Sequence, residues 1–187
     1  MKWPLQRPGR LPMKRLAIVL LLGCFALGAA ASEPSVLLPR SGEARVGQPV
    51  PWLSGWTLDN QVFNINKTFD RDPAAKRLAI VFWTTVCPLC LEEMAVINAA
   101  KARLDAAGVR VVYVNFKENG ETVQAFIRRH PALFPVVGDP YGSTEKTFHD
   151  PAGTSVALPR TFVVGRDRRV LKIIGGIGND FVDQIVN

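Results

Sequence analysis

Six apolar residues, 78–83, run unbroken into Thr84-Thr85-Val86-Cys87-Pro88-Leu89-Cys90, and the chain beyond them takes on a helical rhythm. An apolar run of that length, bounded by polar residues, predicts a strand buried on both faces. Met94, Ile97, Ala100 and Leu104 then recur at helical spacing, which predicts a helix over 92–107 that Gly108 stops. Residues 110–115, apolar from Val111 to Val114, predict a second buried strand. Strand, helix and strand within this length make a βαβ unit, with parallel strands and a right-handed crossover. The fold class is therefore α/β.

The two cysteines lie where that helix opens. Backbone N–H groups at a helix N-terminus have no intrahelical acceptor, and that end favours negative charge. A thiol placed there loses its proton more readily than a free one. The thiolate is the species that attacks disulfides, so Cys87 is the candidate nucleophile. Cys90, about one turn later, can displace whatever Cys87 has captured. Pro88 suits the first helical turn, where its missing N–H costs little. Two other readings compete. A zinc site needs further ligands, and the chain offers only Cys24, His130 and His149, all distant in sequence. A purely structural bridge closing so short a loop removes little chain entropy.

The N-terminus reads as a targeting segment. Lys14-Arg15 precede 16 apolar or small residues, 16–31, that end in three alanines, the layout of a secretory signal. That stretch is short for a membrane span. Met13 is a better start than Met1. Leu21-Leu22-Gly23-Cys24 matches a bacterial lipobox, so lipidation of Cys24 as a membrane tether competes with cleavage near Ala31. An uncleaved anchor is the third outcome, and all three put the domain outside the cytoplasm, in the periplasm. The formal charge of +7 includes five basic residues and no acid in 1–31; what remains holds 18 basic and 16 acidic residues. That near balance argues against a nucleic-acid partner.

The remaining 156 residues are enough for one domain with a full core. Residues 32–46, rich in Pro, Ser, Gly and Arg, read as a linker, and the domain as 47–187. Residues 56–58 and 62–65 predict a hairpin, with Trp52 in the core. Residues 66–76 are polar and read as a loop. Residues 122–129 predict a short helix, 134–137 a short extended piece, and 142–148 one or two helical turns. Residues 158–165 and 170–174 predict a second hairpin, and 181–186 a closing helix capped by Asn179 or Asp180. His149 reads as a surface histidine.

Taken in order, these residues resemble the thioredoxin fold, within its extracytoplasmic branch of TlpA, ResA and CcmG type. The matches are Phe82-Trp83-Thr84-Thr85-x-Cys87-Pro88-x-Cys90, then Glu93-Met94, then Val112-x-Val114-Asn115. Phe134-Pro135-Val136-Val137-x-Asp139 and Leu158-Pro159-x-Thr161-Phe162-Val163 follow. Three features depart from the family. Val86 stands where Trp usually precedes the first cysteine. Ala95 replaces a Pro that kinks the helix. The stretch 139–158 is longer than usual and reads as a loop.

The resemblance implies a thioredoxin-like domain: a central mixed sheet flanked by helices, with an N-terminal β-hairpin extension. It implies a cis Pro159 beside the sulfurs, with the Leu158 backbone free to pair with an extended target. It implies a carboxylate near the disulfide, which alignment puts at Glu118. Val86, Pro88, Leu89, Leu158 and Trp83 are the expected target contacts. No cofactor or metal beyond the Cys87–Cys90 pair is expected. The implied activity is protein thiol-disulfide exchange, most simply reduction of disulfides in exported proteins, with apocytochrome c a candidate. A membrane thiol donor of DsbD or CcdA type would renew the pair. A disulfide oxidase or isomerase is the alternative, and a copper-binding module or a peroxiredoxin fits less well.

Overall fold

The computed structural model of the protein describes residues 44–149 and 157–187. The signal segment 1–31, Cys24 and most of the linker lie outside the described residues. In chain order the elements are β1 (Ser54–Trp56), β2 (Val62–Asn64), α1 (Ile65–Arg71), β3 (Arg77–Trp83), α2 (Pro88–Ala99), α3 (Lys101–Ala106) and β4 (Val109–Phe116). Then come α4 (Gly120–Arg129), β5 (Val136–Asp139), α5 (Ser143–Phe148), β6 (Arg160–Gly165), β7 (Val170–Gly175) and α6 (Phe181–Val186).

Five strands form one sheet in the order β5-β4-β3-β6-β7. The first three are mutually parallel, β6 runs antiparallel to β3 and β7 antiparallel to β6, so the sheet is mixed as expected. The fold is thioredoxin-like. The unbroken apolar character of β3 has a direct cause. Ala79, Val81 and Trp83 point into one core, with Cys90, Met94 and Ile97 of α2 and Phe126 of α4. Leu78, Ile80 and Phe82 point into the other, with Ile65 and Phe69 of α1 and Phe148 of α5. Both faces are covered, so neither needs polar residues. The β1–β2 hairpin forms a separate two-stranded sheet, tied to β5 by a bridge from Thr57 to Val137.

Several expectations need correction. Residues 66–76 are not all loop. Asn64 caps α1 by accepting from the N–H groups of Asn66 at 3.0 Å and Lys67 at 3.3 Å. Ile65 and Phe69, one turn apart, supply the buried stripe. The helix expected over 92–107 begins at Pro88 and breaks at Ala100, whose ψ of 4° separates α2 from α3. The first hairpin strand lies earlier than expected, with Trp56 opposite Val62 and Ser54 opposite Asn64. Trp52 is 62% exposed, because extended chain alternates and the inward position falls to Leu53. Residues 44–46 are not linker: Ala44 is buried and donates to the Phe148 carbonyl at 3.1 Å. His149 is buried too, edge-on to Phe82 and Phe162.

Gly108 ends α3 as expected and has a φ of +74°. A Cβ there would meet the Ala74 carbonyl oxygen at 2.6 Å, so only glycine lets the chain turn into β4.

Candidate active site

Strand β3 leads into Thr84-Thr85-Val86, and Cys87 follows as the N-cap of α2. Its backbone is extended, with φ −100° and ψ 103°, and its sulfur accepts the Cys90 N–H at 3.2 Å. Its carbonyl accepts from Cys90 at 3.1 Å and Leu91 at 3.3 Å. Pro88 occupies the first turn, where no intrahelical acceptor exists for an N–H. A sulfur so placed faces the free N–H groups of a 12-residue helix, which favour its anion. Cys87 and Cys90 form a disulfide, with Cα atoms 5.2 Å apart. Cys87 is half-buried and Cys90 is 2% exposed. Solvent and partners thus reach the first sulfur, while the second faces the core.

Two carboxylates stand close to this loop, and they differ. Glu118, the carboxylate that the resemblance places near the disulfide, is held by hydrogen bonds to the turn before Cys87. Its Oε2 accepts the Thr85 N–H at 2.8 Å and the Asn115 amide at 2.6 Å, while its Oε1 accepts the Thr85 hydroxyl. Both oxygens are committed to donors, so Glu118 braces the turn that precedes Cys87. Glu93 is the buried one, 1% exposed on the inward face of α2. The Thr161 hydroxyl donates to its Oε1 at 2.6 Å, and its Oε2 has no partner. Burial pushes its carboxyl up to about 7 from the usual 4.5, opposed by the Thr161 hydrogen bond. Burial, and then Glu93 itself, pushes the Tyr113 phenol up as well.

Sequence reasoning quoted Glu93 only as a motif match. A stronger signal was available. Cys90, Glu93, Met94 and Ile97 lie at i, i+3, i+4 and i+7 on α2, and all four are buried. An acid on the apolar stripe of a helix is costly unless it has a use.

The Leu158–Pro159 bond is cis. Phe82 pairs with Arg160 in the antiparallel β3–β6 register, which puts Pro159 level with Trp83 at the end that leads to Cys87. Leu158 packs against the core cluster that also holds Cys87 and Cys90. Strand β6 begins only at Arg160, so Leu158 stands outside the sheet pairing. Around the pair, Val86 is 83% and Leu89 51% exposed, and Pro88 is exposed as well. Trp83 does not belong to this surface. It is fully buried against Phe126, because its position on β3 points inward. His149 lies across the sheet, in contact with Phe82 and Phe162 of the other core. Among the described residues, no group of three or more His, Cys, Asp or Glu is placed to hold a metal ion.

Residues 45–183 match the Redoxin family. The thiol-disulfide oxidoreductase ResA of Bacillus thuringiensis subsp. konkukian is 24% identical over 159 residues, 85% of each chain. ResA of Bacillus subtilis is 30% identical over 105 residues, 56% of each chain. Among solved structures, the thioredoxin domain of a Bacteroides vulgatus thiol-disulfide oxidoreductase superposes with a TM-score of 0.62 at 17% identity, covering 78% of this chain and all of that one. StoA of Bacillus subtilis gives 0.58 at 20% identity, covering 73% of this chain and 97% of that one. The two superpositions speak to the fold.

Proposed function

The chain belongs to the Redoxin family, as a thiol-disulfide oxidoreductase of TlpA/ResA type, and we propose that its Cys87–Cys90 pair reduces disulfides of exported proteins in the periplasm. The observation that carries this reading is the asymmetry of the pair. Cys87 is reachable at the N-terminus of α2, and Cys90 is buried one turn behind it.

In the proposed cycle the Cys87 thiolate attacks a target disulfide. A mixed disulfide forms and one target sulfur leaves as a thiolate. Cys90 then gives its proton to the Glu93 carboxylate and attacks Cys87. The Cys87–Cys90 bond forms, and the second target sulfur departs reduced. Two electrons have passed to the target, so a donor must return two to the pair. A membrane thiol donor of DsbD or CcdA type suits that need, and the cysteine pair is the only electron carrier this cycle requires. The exposed apolar strip of Val86, Pro88 and Leu89, with Leu158 placed outside the pairing of β6, suits an extended segment around the target disulfide. Apocytochrome c, with its own paired cysteines, is a target of the right chemistry. The signal-like segment 1–31 supports export, by cleavage or through lipidated Cys24.

Cys87→Ala abolishes turnover of a protein disulfide, and Cys90→Ala accumulates covalent mixed disulfides that a reducing gel releases. A Cys87→Ala protein reducing insulin at the normal rate overturns the assignment. A reduction potential well above about −180 mV, the value for protein disulfide isomerase, reverses the direction to oxidation.

A further inference from the structure

The mechanism above uses Glu93 but leaves its partner unexplained. Thr161 lies on β6, two residues beyond the cis proline, opposite Val81 of β3. Its side chain is fully buried, and its hydroxyl donates to Oε1 of Glu93 across the space between sheet and helix at 2.6 Å. Glu93 Oε2, by contrast, is buried and unpartnered. A carboxyl with one oxygen fixed and one bare has a single site at which a proton can arrive or leave. A hydroxyl donor also favours the ionised carboxylate over the neutral acid.

We propose that Thr161 is a positioning residue of the exchange reaction, fixing Glu93 Oε1 so that the unpartnered Oε2 remains the oxygen that receives the Cys90 proton. The proposal rests on the reading of Glu93 as proton carrier. The geometry is economical. Thr161 follows the cis proline by two residues at the start of β6, so the segment that leads from Pro159 into the sheet also carries the donor that orients the acid. The titratable groups around Glu93 are Cys90 on its own helix and Tyr113 on β4. Burial pushes the Tyr113 phenol up, so it stays neutral throughout the working range, and its hydroxyl is 3.4 Å from Asn98 Oδ1. That leaves the Thr161 hydrogen bond as the interaction here that favours the charged form of Glu93.

The test follows oxidation of the reduced full-length protein by a small aromatic disulfide, in single turnover, from pH 5 to pH 9. Thr161→Val keeps the shape and removes the donor, and Thr161→Ser keeps the donor. With the Val variant the acid limb of the rate profile moves up by about one pH unit, the size expected for a hydrogen bond to a charged group. With the Ser variant it returns close to the parent position. Glu93→Gln removes the part of the limb that Glu93 contributes and leaves that of the Cys87 thiol, and Thr161→Val adds no shift in that background. A Val profile that superimposes on the parent's, or a Val shift that persists in the Gln background, overturns the role of Thr161 while leaving Glu93 as proton carrier. A Glu93→Gln profile identical to the parent's overturns the proton-carrier reading and this proposal with it. Should Thr161→Val not fold, a Ser variant with its limb displaced by the full unit counts against the proposal, and a Ser variant matching the parent beside a shifted Thr161→Ala supports it.

Discussion

Cys87 and Cys90 are three residues apart, yet only one of them meets solvent. Their difference comes from a helix that starts between them and turns the second sulfur inward. Glu93, one turn further along, has the chemistry of a buried acid. Its carboxyl titrates near 7 in the folded chain and near 4.5 when unfolded. Between those values the folded chain binds the extra proton. Stability therefore falls as pH rises from about 4.5 to about 7 and is level above. Glu93→Gln removes this slope. At pH 8 the variant is more stable than the parent by on the order of 2 kcal/mol, while at pH 4 the two are alike. Urea unfolding at both pH values checks this, and equal parent stability at pH 5 and pH 8 contradicts it. Val86, 83% exposed beside the nucleophile, invites a second change. Val86→Ser removes an apolar contact, and KM for a protein disulfide rises by up to about tenfold. The loss is larger than with a small disulfide reagent. Equal losses with both would remove Val86 from the docking surface.

At the scale of elements, α2 works because its N-terminus is held in place. Glu118 ties Thr85 to Asn115, and so ties the turn before Cys87 to the end of β4. Glu118→Ala leaves the Thr85 N–H and hydroxyl without their acceptor. The expected cost is about 1–3 kcal/mol of stability, with slower attack by Cys87 as its position loosens. Denaturant titration and single-turnover rates measured together test the brace. An unchanged midpoint and an unchanged rate would refute it. Helix α1 teaches the opposite lesson about reading a sequence. Ile65 and Phe69 are its only buried residues, so it has no periodic signal long enough to stand out from a loop. Its cap, Asn64, was visible, but a lone cap beside a polar run is weak. The break between α2 and α3 was likewise hidden. Alanine favours helix, yet Ala100 takes a ψ of 4° and ends α2.

For the molecule as a whole, export and activity are separate questions. Among the described residues no helix is long and apolar enough to cross a membrane. Intact-mass measurement of protein from the native envelope is expected to give a chain starting after Ala31, or at a lipidated Cys24. A mature chain still carrying residues 13–31 unmodified would contradict both.

The sequence by itself determined the βαβ core, because runs of residues apolar on every position can only be buried on both faces. It also singled out the cysteine pair and Cys87 as its proposed nucleophile, because two cysteines at the mouth of a helix carry their chemistry in their spacing. Only the tertiary structure decided between the two acids. Glu118 and Glu93 are both glutamates near the pair in sequence or alignment. Whether a carboxylate is a brace or a proton carrier depends on how many donors reach it and how much water is excluded. Those are properties of Thr85, Asn115 and Thr161 arriving from other strands and turns, and no local pattern records their arrival.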